Sequence, residues 1–290
     1  MSPLQATILG LIQGLTEFIP VSSSGHLVLV RELFGWEDMG VAFDTVLHLG
    51  TLVAVIIYFW STWKSLLRTL GLLIAGLFKS SCRKKIQPAE LFLLAALLVA
   101  TIPAVIVGYL TRDFIDSTFR NIVWVAIFLV VTGTVFIFME RGRRYFKHLA
   151  EKKQQPRYGL TEFKNLSWGR IVFIGIMQSF ALLPGISRSG FTIAGGVFSG
   201  LTREAAAKFA FLLSAPIILG AGLVGVYDIY QDGWEKIGLT SLIIGFLVSL
   251  VSGYFAVRFM LKFIRGHKLY IFSVYLFVLA VVILIINQLL

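Results

Sequence analysis

Residues 4–30 read LQATILGLIQGLTEFIPVSSSGHLVLV, and residues 169–200 read GRIVFIGIMQSFALLPGISRSGFTIAGGVFSG. Both stretches are long and apolar, and both are broken near the middle. Pro20, Ser22, Ser23, Ser24 and Gly25 interrupt the first; Pro184, Gly185, Ser187, Arg188, Ser189 and Gly190 interrupt the second. A helix that crosses lipid needs roughly 20 consecutive apolar residues, because the hydrocarbon is about 30 Å thick. Neither stretch makes a simple span. The rest of the chain says why spans are the right unit: of 290 residues 57% are hydrophobic and only 14% charged, with a mean hydropathy of +0.86. A soluble domain carries about 25% charged residues, so a water-soluble enzyme, a disordered tail and a nucleic-acid-binding module are excluded together.

Six further runs are long and apolar enough to cross, near residues 41–60, 91–110, 122–139, 205–226, 239–257 and 269–290. The connections between them set orientation through the excess of Lys and Arg on the cytoplasmic side. Residues 61–90 carry Lys64, Arg68, Lys79, Arg83, Lys84 and Lys85 against Glu90. Residues 140–170 carry nine basic side chains, among them Arg141, Arg143, Arg144, Lys152 and Lys153, against three acids. Residues 258–268 add Arg258, Lys262, Arg265 and Lys268 with no acid, so these loops hold 19 of the 26 basic residues and read as cytoplasmic. The connection at 31–44 has Glu32, Glu37, Asp38 and Asp44 against Arg31, and that at 227–238 has Asp228, Asp232 and Glu235 against Lys236; both read as outside. All these sides agree only if each broken stretch enters and leaves on one face. The expected fold is therefore an all-α polytopic membrane protein of six transmembrane helices plus two re-entrant helix hairpins, the first dipping from outside and the second from inside, in one integral membrane domain over residues 1–290. The alternative is that one or both broken stretches simply cross. The net charge of +11 is then mostly an orientation signal. The lone Cys82 excludes an intramolecular disulfide, and the N-terminus shows no basic region and cleavage pattern of a signal peptide.

The two broken stretches repeat one another at an offset of 165 residues: Gly10, Gln13, Ser22, Ser24 and Gly25 fall on Gly175, Gln178, Ser187, Ser189 and Gly190. At an offset of 166, Phe43 and Leu47 fall on Phe209 and Leu213. An odd number of spans separates the copies, which makes them inverted repeats, over about 1–140 and 165–290, joined by the basic loop. Inverted repeats bring discontinuous helices together at the membrane midplane, where backbone ends can bind a polar group. A site is expected between the hairpins.

The second hairpin offers an anion cradle. A helix starting near Ser187 aims its unpaired N–H groups and the positive end of its dipole over the turn. Ser187, Ser189 and Thr192 add hydroxyls, and Arg188 supplies a planar fork matched to two phosphate oxygens. The alternative is a serine-capped helix with Arg188 extended to the interface. In the first hairpin Gln13 and Glu17 are four apart, so they share a helix face and could hold a divalent cation, Mg2+ or Ca2+, through oxygen; a structural Glu17–Arg188 ion pair is the alternative. His26, just past the serine-rich turn, can serve as base, acid or nucleophile, or simply be hydrogen-bonded in place. Asp44 and His48 share a face of the next span and either extend the site or form a satisfied pair. Cys82, His148 and His267 fall in or at the end of basic loops and read as bystanders. A carboxylate, a histidine, hydroxyls, an arginine and two helix ends suit phosphoryl transfer.

The segment Gln13-Gly-Leu-Thr-Glu17 followed by Pro20-Val-Ser-Ser-Ser-Gly-His26 resembles the (E/Q)xxxE and PVSSxGH region of the undecaprenyl-diphosphatase family of bacterial membranes. The segment Pro184-Gly-Ile-Ser187-Arg188-Ser189-Gly-Phe-Thr192 resembles its PGxSRSxxT motif, and the resemblance runs essentially end to end. It implies hydrolysis of undecaprenyl diphosphate to the monophosphate and inorganic phosphate, on the outer face of the inner membrane. That step recycles the lipid carrier of cell-wall synthesis and, with more enzyme, counters bacitracin. Position by position, the resemblance implies Glu17 and Gln13 as the metal-linked acidic motif, His26 as the catalytic histidine, and Ser187, Arg188 and Thr192 as diphosphate ligands, with Ser22 and Ser23 as the serines of the first motif. Gln13 stands where many members have a second glutamate, which removes one negative ligand from a cation. The nucleophile stays open among His26, Ser23 and water. The competing class is a prenyl-phosphate flippase or transporter, since broken inverted repeats are a transporter architecture; Glu17, Ser23 and His26 opposite the cradle favour an enzyme. The expected partners are the prenyl diphosphate substrate and membrane lipid. Gly220, Gly222 and Gly225 permit close helix contact within one chain or in a homodimer.

Overall fold

The computed structural model describes residues 1–37, 40–119, 121–152, 166–232 and 237–289, and these are all-helical. Twelve α-helices are described. They are α1 (Pro3–Phe18), α2 (Ser23–Phe34), α3 (Gly40–Tyr58), α4 (Trp60–Phe78), α5 (Ser80–Arg83), α6 (Pro88–Phe119), α7 (Ile122–Lys152), α8 (Trp168–Ser179), α9 (Arg188–Phe198), α10 (Arg203–Asp232), α11 (Leu239–Gly266) and α12 (Tyr270–Leu289). A 3-10 turn at Phe180–Leu182 extends α8. Asp38, Lys153, Glu235 and Lys236, read above as loop charges, lie outside the described residues, as do the side chains of Arg143, Arg144, His148, Lys152, Asp228 and Asp232.

Five helices, α6, α7, α10, α11 and α12, are long and apolar enough to cross a membrane, and a sixth follows if α3 and α4, bent by 87°, count as one broken span. The protein is an integral membrane protein, with five to six such helices among the described residues. Their outward faces are apolar without a covering layer: α6 exposes Leu98, Ile102, Val105, Ile106, Tyr109 and Leu110, and α12 exposes Ile271, Val274, Val278, Val281 and Ile285. That spacing is one helix face, and only lipid covers such a face at no cost. Inside, small and hydroxyl residues let backbones approach, as expected where helices pack in lipid. Ser249 on α11 donates to the carbonyl of Leu47 on α3, and Ser252 donates to Val248 O at 2.7 Å. Gly222 and Gly225 take up Leu49 and Thr45 of α3, so these two glycines serve contact within the chain.

The region 61–78, read as part of a basic loop, forms helix α4 instead. Its apolar residues recur at helical spacing, Leu67, Leu70, Ile74 and Leu77, and remain exposed alongside Lys64 and Arg68. The charge count picked out the basic residues and hid this period. On the side read as cytoplasmic, the buried Glu140 of α7 accepts hydrogen bonds from Arg203 Nη1 of α10 at 2.9 Å and from the backbone N–H of Leu269 at 3.0 Å. Arg203 also donates to His267 O at 2.8 Å. One carboxylate thus ties α7, α10 and the α11–α12 turn together.

The two broken stretches form helix pairs, α1–α2 and α8–α9. With 16, 12, 12 and 11 residues, the longest of these helices measures only about 24 Å at 1.5 Å per residue. Each pair repeats the same local devices at the 165-residue offset. Ser22 caps α2 by accepting from Gly25 N at 3.2 Å, and Ser187 caps α9 by accepting from Gly190 N at 3.1 Å. The Ser22–Ser24 and Ser187–Ser189 hydroxyls are each 3.3 Å apart. A Cβ on Gly10 would meet the Gly245 carbonyl of α11 at 2.8 Å, and one on Gly175 would meet the Ala100 carbonyl of α6 at 2.4 Å, so α1 and α8 each lie against a long helix of the other half.

Candidate active site

The last turn of α1 carries Glu17, 5% exposed, and three different elements converge on its carboxylate. Oε2 accepts from Gln13 Nε2 at 2.8 Å, one turn back on α1, and from Ser23 Oγ at 2.7 Å, across the hairpin turn. Oε1 is paired with the guanidinium of Arg188, the first residue of α9. His48 Nε2 of α3 lies 3.5 Å from Oε2, with its Nδ1 2.7 Å from the Asp44 carbonyl. A carboxylate taken out of water is tolerable only with this density of donors and an opposite charge. The pair Glu17–Arg188 joins residues 171 apart in sequence, one from each hairpin.

The chain reaches this geometry through strained turns. Ser22 has φ +69°, ψ +97°, and is the one non-glycine residue with positive φ among the described residues. Such a conformation costs on the order of 1–3 kcal/mol and needs over-determining support. Here the support is the Ser22 cap on Gly25 and the chain reversal that turns Ser23, at the N-terminus of α2, onto Glu17. In the other hairpin Gly185 has φ +101°, and a Cβ there would lie 2.6 Å from the Val125 carbonyl of α7, so only glycine fits. Its N–H donates to Ser24 Oγ at 3.3 Å, the second bond between the hairpin tips. Ser187 is anchored by its N–H to Thr132 Oγ1 of α7 at 3.4 Å.

The structure brings Gln13, Glu17, Ser23 and Arg188 into direct contact. Ser187 and Ser189 sit at the head of α9 beside Arg188, with Ser187 Oγ committed to the cap. Thr192 Oγ1 donates back to the Arg188 carbonyl at 2.7 Å, which places it one turn along the same helix. Ser22 is a cap residue. His26 stands apart from the carboxylate cluster in its hydrogen bonds: Nδ1 is 2.7 Å from the Ser22 carbonyl and Nε2 is 2.6 Å from the phenol oxygen of Tyr275 on α12. Sequence reasoning missed Tyr275 and Thr132, a tyrosine and a threonine in apolar spans with no local motif to mark them. It named His48 without assigning it to the site.

Among the described residues no group of three His, Cys, Asp or Glu side chains gathers to hold a metal ion. The oxygen set near Glu17 still suits a cation that takes most of its ligands from a substrate. Gln13 Oε1 is buried without a hydrogen-bond partner beside the Glu17 carboxylate, and Mg2+ commonly binds through one or two carboxylates plus substrate phosphates.

The helical bundle thus holds a buried carboxylate with a serine hydroxyl on it and an arginine at a helix N-terminus facing it from the other hairpin. The chain belongs to the family described as bacitracin resistance protein BacA, whose sequence model matches residues 6–282. It is 39% identical to the undecaprenyl-diphosphatase of Methanosphaera stadtmanae, over 98% of both chains. It is 38% identical to that of Desulforudis audaxviator, over 99% of this chain and 98% of the relative, and 39% identical to that of Caldicellulosiruptor bescii, over 98% and 97%.

Proposed function

We propose that this chain is a phosphatase that hydrolyses undecaprenyl diphosphate to undecaprenyl phosphate and inorganic phosphate, recycling the lipid carrier of cell-wall synthesis and supporting resistance to bacitracin. The observation that carries the reading is the meeting of Glu17 and Ser23 of one hairpin with Arg188 of the other. The prenyl tail lies in lipid against the exposed apolar faces, and the diphosphate enters between the hairpin tips. Arg188 exchanges its carboxylate partner for phosphate oxygens, to which its fork is equally suited. The N-terminus of α9, with Ser187, Ser189 and Thr192, adds donors and the positive end of a helix dipole.

Once Arg188 turns to phosphate, Glu17 loses its counter-charge and becomes the base for the hydroxyl already bonded to it. Ser23 Oγ attacks the terminal phosphorus, its proton passes to Glu17, and the bridging P–O bond breaks with the prenyl monophosphate leaving. Water then attacks the phosphoserine; its proton is taken by His26, three residues along α2 and so on the same helix face, and returned to Ser23 Oγ, while the departing phosphate carries away the proton held on Glu17. A divalent cation, when bound, neutralises phosphate charge; Glu17 and Gln13 Oε1 are the groups that would hold it.

The architecture we propose is six spans, α3, α6, α7, α10, α11 and α12, with α1–α2 and α8–α9 as re-entrant hairpins of inverted repeats. The shared caps and the reciprocal packing of α1 on α11 and α8 on α6 support it. The basic loops, set against the acidic connections at 31–44 and 227–238, support an opening of the site on the outer face of the inner membrane. Release of inorganic phosphate from undecaprenyl diphosphate by the purified protein in detergent micelles tests the function. Turnover is expected, falling with EDTA and returning with Mg2+ or Ca2+. No phosphate release would leave a flippase as the reading, and a rate indifferent to EDTA would remove the cation.

A further inference from the structure

His26 is held at both ring nitrogens, and only one of its partners is local. The Ser22 carbonyl can only accept, so the 2.7 Å contact fixes the proton on Nδ1. In the neutral ring Nε2 is then a lone pair, and the group 2.6 Å from it is the phenol O–H of Tyr275, donated from a helix 249 residues away. The two rings are nearly parallel, 4° apart in plane with centroids separated by 5.7 Å. Tyr275 lies in α12, whose neighbouring positions Ile271, Val274 and Val278 face outward, and it is itself 45% exposed. A polar hydroxyl on such a helix needs a partner, and it finds the one histidine that shares a helix face with Ser23.

We propose that Tyr275 is a positioning residue of the hydrolytic site, acting through His26: its hydroxyl, together with the Ser22 carbonyl, locks the imidazole in the Nδ1–H tautomer, with Nε2 as the acceptor. A histidine free to rotate or to change tautomer would present N–H where a proton must be received. A fixed hydroxyl can give way to water when phosphoserine forms, leaving Nε2 correctly aimed. The inference rests on the phosphatase reading above and adds α12 to a site otherwise built from the hairpins and α3.

Tyr275→Phe keeps the ring and removes the hydroxyl. Measured as phosphate release, kcat is expected to fall about tenfold, the equivalent of one net hydrogen bond, with KM within twofold. In 15N-histidine NMR of wild type, the resonances that vanish in His26→Asn should report the Nδ1–H tautomer, and in Tyr275→Phe they should shift or split. A folded Tyr275→Phe with wild-type kcat, or one in which KM alone rises, overturns the proposal. The wild-type spectrum alone overturns it if His26 carries its proton on Nε2, whatever the variant does. If the wild type releases no phosphate at all, the phosphatase reading has failed; if the wild type is active and Tyr275→Phe matches it, only this inference has.

Discussion

Replacing Arg188 by glutamine removes the charge that Glu17 faces across the two hairpins, and the structure sets the size of the effect. The Glu17 side chain is 4% exposed and that of Arg188 14%, so the pair is effectively out of water. Removing one partner of such a pair leaves a buried, uncompensated charge at a cost of about 3–5 kcal/mol. Ser23 and Gln13 still donate to the carboxylate, which puts the expected loss at the lower end, about 3 kcal/mol. At about 2 °C per kcal/mol for a chain of this length, Arg188→Gln should lower the melting temperature in detergent by roughly 6 °C. The double variant Glu17→Gln, Arg188→Gln replaces both charges with amides and should recover most of that loss while remaining inactive. The assay is a thermal unfolding series on the four proteins of the cycle, with coupling as the readout. Losses that simply add, or a single variant that melts within 1 °C of wild type, would refute the buried cross-hairpin pair.

Gly185→Ala must place a Cβ at φ +101° and 2.6 Å from the Val125 carbonyl; it should cost at least about 1–3 kcal/mol and lower turnover, read by melting temperature and phosphate release together. Ser22 and Ser23 should separate in activity: Ser22→Ala loses a helix cap at about 1 kcal/mol and keeps measurable turnover, whereas Ser23→Ala, which takes a donor from the buried Glu17 carboxylate, costs about 1.5–3 kcal/mol and loses kcat by about a thousandfold or more. Glu140→Gln should lower the melting temperature by several degrees through the Arg203 and Leu269 contacts and leave KM for the substrate unchanged.

Five of the six apolar runs were legible because a span needs length and hydropathy and little else, and each of these coincides with a helix long enough to cross; the run at 41–60 falls on α3, which reaches that length only together with α4. The helix pairs α1–α2 and α8–α9 were legible because Pro, Ser and Gly interrupt two long apolar runs. Glu17 and Arg188 stood out as ionisable residues at membrane depth, where charge is costly unless it is paired or working. Helix α4 was lost because lysines and arginines dominate a loop count even when leucines keep a helical period between them. Tyr275 and Thr132 carry no sequence mark of their role. Their function comes from what tertiary packing sets opposite them, and a pattern reader sees only a tyrosine and a threonine inside apolar helices. The strained φ of Ser22 is equally silent in sequence, since serine is common in turns of ordinary geometry.

In the proposed mechanism residues from both hairpins form one hydrolytic site. The most direct measurement is kcat/KM for phosphate release from undecaprenyl diphosphate by folded wild type, Glu17→Gln and Arg188→Gln in the same detergent. On that mechanism each variant is expected to fall by about a thousandfold or more, the scale of losing a group that acts on the transition state. A folded variant of either residue that keeps more than about a tenth of wild-type kcat/KM would contradict it, because a loss that small lies within reach of a single peripheral hydrogen bond.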